Sequence, residues 1–226
     1  MKIAVICAID DEIKLLRDVM DDSSTSSVFG VHVTAGTISG HDVVVCVSGI
    51  GKTNAAATAQ FVVCEYNPDV IINIGLAGNC EPGLPLGGAV VAQKLLYHDF
   101  NMKFAAEGPP YLTEYTPDPV LSELALRTCG DNGIEHTIGI VATGDVFVND
   151  SAIKSDIVDR TGCSCVEMES AAIAQISHKC GVRYAVIKIM SDNADENAHD
   201  DFAQLLPLGA YCDVSVAIVS GIIKAL

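Results

Sequence analysis

Residues 70–74 read Val-Ile-Ile-Asn-Ile and run directly into Gly75-Leu76-Ala77-Gly78, and few folds accept such a strand. Without polar alternation it needs both faces covered, which places it at the centre of a mainly parallel sheet with helices on either side. The rest of the chain supplies the partners. Residues 2–7, 88–92 and 184–190 are further apolar runs, and 137–142 and 163–166 read as strands as well. Helical spacing predicts helices over 10–20, where Ile13, Leu15, Leu16 and Val19 share a face, and over 54–66, 120–129, 152–160, 170–180 and 208–226. Residues 31–38 and 42–48 read as a hairpin around Ser39-Gly40-His41, and the polar stretch 21–27 as a loop. The expected class is α/β, a mixed central β-sheet flanked by helices. A chain of 226 residues that is 50% hydrophobic can bury one large core, so a single domain over 1–226 is expected, with no internal repeat and no linker.

Charge narrows the partners. The formal net charge of -16, from 13 Lys+Arg against 29 Asp+Glu, repels phosphate backbones and anionic headgroups. Nucleic acid and membrane surfaces are therefore excluded as partners. No apolar run reaches the roughly 18 residues of a membrane span, and the N-terminal run meets Asp10 and Asp11 without a cleavage site. A cytoplasmic protein is expected. Nine cysteines, among them Cys7, Cys46, Cys64 and Cys180 inside apolar segments, read as buried hydrophobes in a reducing compartment, with no disulfides. Cys163, Cys165, His178 and Cys180 cluster loosely, but they lack the paired spacing of a zinc site, so no metal is expected.

Three acid clusters lie where apolar runs end: Asp10-Asp11-Glu12, Glu167-Met168-Glu169 and Asp192-Asn193-Ala194-Asp195. Ligands of α/β sheets bind beyond the carboxyl ends of the strands, so acids delivered there from three strands can converge on one small molecule. Each has a plainer reading taken alone. Glu12 suits a first-turn helix acid, Asp192 beside Ser191 suits a helix cap, and Glu167 and Glu169, on one face of a continuing strand, could be solvated. The apolar Ala171-Ala172-Ile173-Ala174 that follows requires at least one of that pair to have a dedicated partner.

Gly49-Ile50-Gly51-Lys52-Thr53 sits between a strand and a helix, as a phosphate-binding loop does. That motif needs an earlier glycine, and Cys46 stands there. A tight glycine turn with Thr53 or Asn54 capping the helix is the better reading. Residues 97–119 hold Pro109, Pro110, Pro117 and Pro119, half of the chain's eight prolines, and read as a long functional or interfacial loop.

The strings Ser48-Gly49-Ile50-Gly51-Lys52, Tyr97-His98-Asp99, Gly144-Asp145-Val146-Phe147, Val166-Glu167-Met168-Glu169 and Ser191-Asp192-Asn193-Ala194-Asp195, in this order after Glu12, resemble the 5'-methylthioadenosine/S-adenosylhomocysteine nucleosidases of the purine nucleoside phosphorylase superfamily. The resemblance covers nearly the whole length and implies a three-layer nucleoside phosphorylase-like fold, no cofactor, and hydrolysis of the bond between adenine and ribose. It implies that Asp192 protonates the purine N7 and that Glu12 positions and deprotonates the attacking water. Glu169 would accept from the ribose hydroxyls, Met168 lie on the sugar, Phe147 on the base, and Val148 read the base edge. Gly78 and Ser191 would also adjoin the ligand. Phe202, from a loop before the last helix, would cover it, while Met102 and Phe104 would complete the 5' pocket of a neighbouring subunit in a homodimer.

Three alternatives stay open at this point. A phosphorylase needs a cationic cradle for its dianion, and the four arginines, Arg17, Arg127, Arg160 and Arg183, stand at no glycine-rich strand end. A futalosine-type nucleosidase would carry the same acids. A nucleoside-binding protein without turnover would not need both an acid and a base. One departure stands out: the family usually has Ser where Leu76 stands, and often Gly where Asn79 stands, which removes a hydroxyl near the ribose and the water.

Overall fold

Among the described residues, 1–12, 14–205 and 210–226 of a computed structural model, nine strands form one mixed sheet. The strands are β1 (Lys2–Cys7), β2 (Asp21–Val28), β3 (Val31–Ile38), β4 (His41–Val47), β5 (Val70–Asn79), β6 (Ala89–Tyr97), β7 (His136–Thr143), β8 (Cys165–Glu167) and β9 (Arg183–Asp192). The helices are α1 (Lys14–Asp18), α2 (Lys52–Tyr66), α3 (Met102–Glu107), α4 (Pro119–Asp131), α5 (Ser151–Thr161), α6 (Ser170–Cys180), α7 (Ala198–Leu205) and α8 (Ala210–Ala225). The expected α/β class with a helix-flanked mixed sheet is what the chain adopts. β5 lies at its centre, paired in parallel with β1 and β9 and antiparallel with β8. Because β8 pairs with β7, β7 with β6 and β6 with β9, the pairings close a ring through β5.

The mainly apolar strands are explained by what covers them. Ile3, Val5, Val70, Ile72 and Ile74 face a core completed by Leu121 and Ala125 of α4 and by Ile218 and Ile222 of α8. Ala4, Ile6 and Ile71 face the other way, onto Ala55, Ala59 and Val62 of α2 and Ile173 of α6. Successive residues of one strand thus serve opposite layers.

Several expectations need correction. The polar stretch 21–27 is a strand, β2, antiparallel to β3 and exposed along its length. An edge strand with two wet faces has no apolar alternation to reveal it. A short helical turn at Asp10–Glu12 followed by α1 replaces the single helix expected over 10–20, and Ile13 lies outside the described residues. The long segment after β6 contains α3. Phe202 belongs to a helix, α7, and not to a loop. Residues 208 and 209 of the expected closing helix lie outside the described residues. α2 begins at Lys52 with Gly51 as its N-cap and no side-chain cap, so neither Thr53 nor Asn54 has that role. All nine cysteines are free, but Cys64 and Cys180 are exposed, side by side at the Gln60 amide on the outer faces of α2 and α6.

Candidate active site

Beyond the end of β1 the chain turns through Ala8 and Ile9, and the Asp10–Glu12 turn folds the Glu12 side chain back underneath them. Its Oε2 accepts from the N–H groups of Ala8 (2.7 Å) and Ile9 (3.0 Å), and its Oε1 from the N–H of Leu76 in β5 (2.8 Å). Burial pushes the Glu12 carboxyl above its ordinary range, against the pull of the Lys188 ammonium and these three N–H groups. Gly75 permits this approach, since a Cβ there would lie 2.8 Å from Glu12 Oε1 and 3.2 Å from Lys188 Nζ. We expect Gly75→Ala to lower kcat/KM at least about tenfold through displacement of Glu12, with the far-ultraviolet circular dichroism unchanged; unaltered kinetics would contradict this.

Asp192 ends β9. Ser191 Oγ donates to its Oδ2 (2.7 Å) and the Ala194 N–H to its Oδ1 (2.8 Å). Ala194 reaches that position with φ 50, a left-handed conformation that alanine rarely adopts. Burial raises the Asp192 pKa, opposed by the two hydrogen bonds. The carboxyl thus holds its proton to higher pH than a free aspartate does.

β8 stops at Glu167, so Glu167 and Glu169 do not share a strand face as the sequence suggested. Glu167 turns inward. It pairs with Lys188 Nζ at 3.0 Å and accepts from Thr143 Oγ1, Ser170 Oγ, and the N–H groups of Glu169 and Ser170. Burial alone would raise its pKa, yet Lys188 and these hydroxyls hold it low. Glu169, at the start of α6, accepts from the Gly51 N–H at 2.8 Å. Burial, and then repulsion from Glu167, push its pKa up to about 7.

A raised folded-state value has a definite sign. Protonation favours the folded form, so the Glu169 contribution to stability is fully present below its ordinary value of 4.5 and is lost as pH rises through about 7. Glu169→Gln is expected to flatten the fall in unfolding free energy between pH 5 and pH 8, by about 2 to 3 kcal/mol at the alkaline end. An unchanged pH dependence would contradict the assignment.

One cavity of about 250 Å³ gathers these groups. Among its lining residues are Glu12, Gly78, Phe147, Val148, Met168, Glu169, Ser191, Asp192 and Phe202, all singled out in the sequence. Phe147 stacks on His199 of α7 with centroids 4.6 Å apart and meets Phe202 edge to face. Leu76 lines the cavity where a hydroxyl was expected from the resemblance. Met102 and Phe104 do not reach it. They lie on α3, where Phe104 is 65% exposed and lines a separate cavity with Tyr97 and Tyr115.

The sequence reading missed Lys188, which is 1% exposed and lies among Glu12, Glu167 and Glu169. The signal was present, a single cation inside the apolar strand Ala185-Val186-Ile187-Lys188-Ile189-Met190. It also missed Thr143 and His199, which no motif marks. No Lys or Arg lines the cavity among the described residues, and no group of three or more His, Cys, Asp or Glu among them is placed to hold a metal ion.

The chain is similar to known proteins over nearly its whole length. A family model described as the phosphorylase superfamily matches residues 2–210. A 5'-methylthioadenosine/S-adenosylhomocysteine nucleosidase of Bacillus thuringiensis subsp. konkukian is 34% identical over 217 residues, covering 93% of this chain and 94% of that one. The crystal structure of such a nucleosidase from Neisseria meningitidis, in complex with methylthio-immucillin-A, superposes with a TM-score of 0.93 at 32% identity, over 100% of this chain and 99% of that one. The futalosine hydrolase of Helicobacter pylori superposes with a TM-score of 0.91 at 26% identity, over 100% of this chain and 98% of that one.

Proposed function

Since the chain belongs to the 5'-methylthioadenosine/S-adenosylhomocysteine nucleosidases of the phosphorylase superfamily, we infer that it is an N-glycosyl hydrolase that releases adenine from 5'-methylthioadenosine and S-adenosylhomocysteine with water as nucleophile. The observation that carries this reading is one cavity lined by two buried carboxyls of raised pKa, Glu12 and Asp192, together with Glu169, and with no Lys or Arg on its wall among the described residues.

The roles follow from the chemistry. As the glycosidic bond stretches, negative charge builds on the purine and positive charge on the ribose, so protonation of N7 makes adenine a neutral leaving group. A buried Asp192 that keeps its proton to higher pH supplies it. Glu12, held by three backbone N–H groups, takes the proton of the attacking water, the two-carboxylate logic of glycoside cleavage. Its ionisation sets the acid limb of the pH profile and that of Asp192 the alkaline limb. Glu169 accepts from the ribose hydroxyls, Met168 packs on the sugar, and Phe147 and Phe202 enclose the base with backbone reading at Val148. A phosphate dianion would meet Glu12 with no Lys or Arg among the described residues at the cavity wall to pair it, which favours water over phosphorolysis.

Met102 and Phe104 serve, in this reading, the 5' pocket of a second copy in a homodimer, and the whole chain acts as one domain in the cytoplasm. No helix among the described residues is long and apolar enough to cross a membrane. The test is adenine release from 5'-methylthioadenosine, S-adenosylhomocysteine and futalosine in phosphate-free buffer. Release from the first two is expected. Release only from futalosine would move the activity to the related hydrolase, and binding without release would make the chain a nucleoside-binding protein.

A further inference from the structure

The Gly49–Lys52 turn resembles part of a phosphate loop, yet the proposed reaction gives it no phosphate to hold. Its polar groups are nevertheless engaged. The first N–H groups of a helix have no partner within the helix, and at α2 they are met by carboxylates from distant segments. Gly51 N–H donates to Glu169 Oε1 at 2.8 Å, and Lys52 N–H to Asp145 Oδ1 at 2.8 Å. Lys52 Nζ donates to both oxygens of Asp99, each at 2.7 Å, and Asp99 Oδ2 accepts from the Asp145 N–H at 2.8 Å. The bonds from Lys52 to Asp145, from Asp145 to Asp99 and from Lys52 to Asp99 close a ring across the α2 start, the end of β6 and the loop after β7.

Each side of this ring adjoins a different part of the cavity. Asp145 is two residues from Phe147, which encloses the base, and Gly51 beside Lys52 grips Glu169, which holds the ribose. We propose that Lys52, Asp99 and Asp145 are positioning residues, a latch that keeps the ribose-gripping carboxylate and the base-holding loop in fixed relation, so that the ribose hydroxyls help place the base for protonation. The ring is open to solvent on one side, with Lys52 and Asp99 side chains about one-fifth exposed and Asp145 about half. Exposed ion pairs add little to global stability, so its value lies in local geometry. Burial would raise the Asp99 carboxyl, but the Lys52 ammonium and the Asp145 N–H hold it below the ordinary range, which keeps Asp99 an acceptor for both donors. The fit is tight, since a Cβ on Gly51 would lie 3.1 Å from Asp145 Oδ1.

The inference rests on the functional reading given above, and one experiment separates the two. The kcat/KM of the unaltered protein, Lys52→Met, Asp99→Asn and Lys52→Arg is measured on 5'-methylthioadenosine and on its 2'-deoxy counterpart, with unfolding midpoints in parallel. The Met and Asn variants are expected to lose about 10- to 100-fold on the ribonucleoside and much less on the deoxy compound, so that the preference for ribose shrinks. Lys52→Arg, which keeps two donors for Asp99, is expected to recover most of the ribonucleoside rate. Equal losses on both substrates, no loss on either, or unfolding of both variants would overturn the latch. Absence of adenine release by the unaltered protein would overturn the functional reading itself.

Discussion

Replacing Asp192 by Asn is expected to lower kcat about a thousandfold while leaving affinity for a non-hydrolysed adenosine analogue within about tenfold, or about 1.4 kcal/mol. The two measurements separate because of how Asp192 is held. Its Oδ2 faces Ser191 Oγ and its Oδ1 the Ala194 N–H, and an amide of the same shape keeps the turn and the cavity wall. What the amide cannot do is give up a proton as the bond to adenine breaks. Burial raises the Asp192 pKa, so the acid form, and with it turnover, persists to higher pH and is lost as pH rises through that value. The variant should therefore lose the alkaline limb of the profile along with most of its rate. An Asp192→Asn protein with near-normal kcat would remove the acid from the mechanism.

The largest stability effect is expected at Lys188. Burial would lower the Lys188 pKa, but Glu167, Glu169 and Glu12 outweigh it and keep the ammonium charged beyond its ordinary range. Lys188→Met strands the Glu167 carboxylate, which would keep its hydroxyl and N–H donors but lose the ammonium at 3.0 Å. Breaking one side of a buried ion pair costs about 3 to 5 kcal/mol, measurable by denaturant titration. The double variant Lys188→Met, Glu167→Gln removes both charges and is expected to regain most of that loss. Because Lys188 also pulls the Glu12 pKa down, the acid limb of the pH profile should move to higher pH in the single variant. Equal stability of the single and double variants would contradict the pairing.

What the sequence disclosed follows from which physical signals are local. The apolar strands β1, β5 and β9 need cover on both faces, and that demand is written in consecutive residues, so the helix-flanked sheet was legible. β2 was not, because an exposed edge strand of Ser, Thr and Asp carries no burial pattern. The closure of the sheet through β6 and β9 depends on long-range pairing that no window of sequence contains. The acids Glu12, Glu169 and Asp192 were legible because charge at the end of an apolar run is costly unless used. Lys188 obeys the same rule and was missed because it sits within its run, in register with Gly75 of β5, where only the fold reveals the facing carboxylates. His199 carries no such mark, since a histidine flanked by Asp195, Glu196, Asp200 and Asp201 reads as solvated until α7 lays it on Phe147. The acceptors of the glycine turn at 49–52, Glu169 and Asp145, lie about 100 residues away and could not be inferred.

The central claim is that solvent, admitted beside Glu12, displaces adenine protonated by Asp192. Its most direct test is single turnover of 5'-methylthioadenosine in water enriched in oxygen-18, with phosphate present and the sugar product weighed by mass spectrometry. The account predicts one labelled oxygen on the anomeric carbon and no dependence of rate on phosphate. A sugar 1-phosphate without label would contradict it.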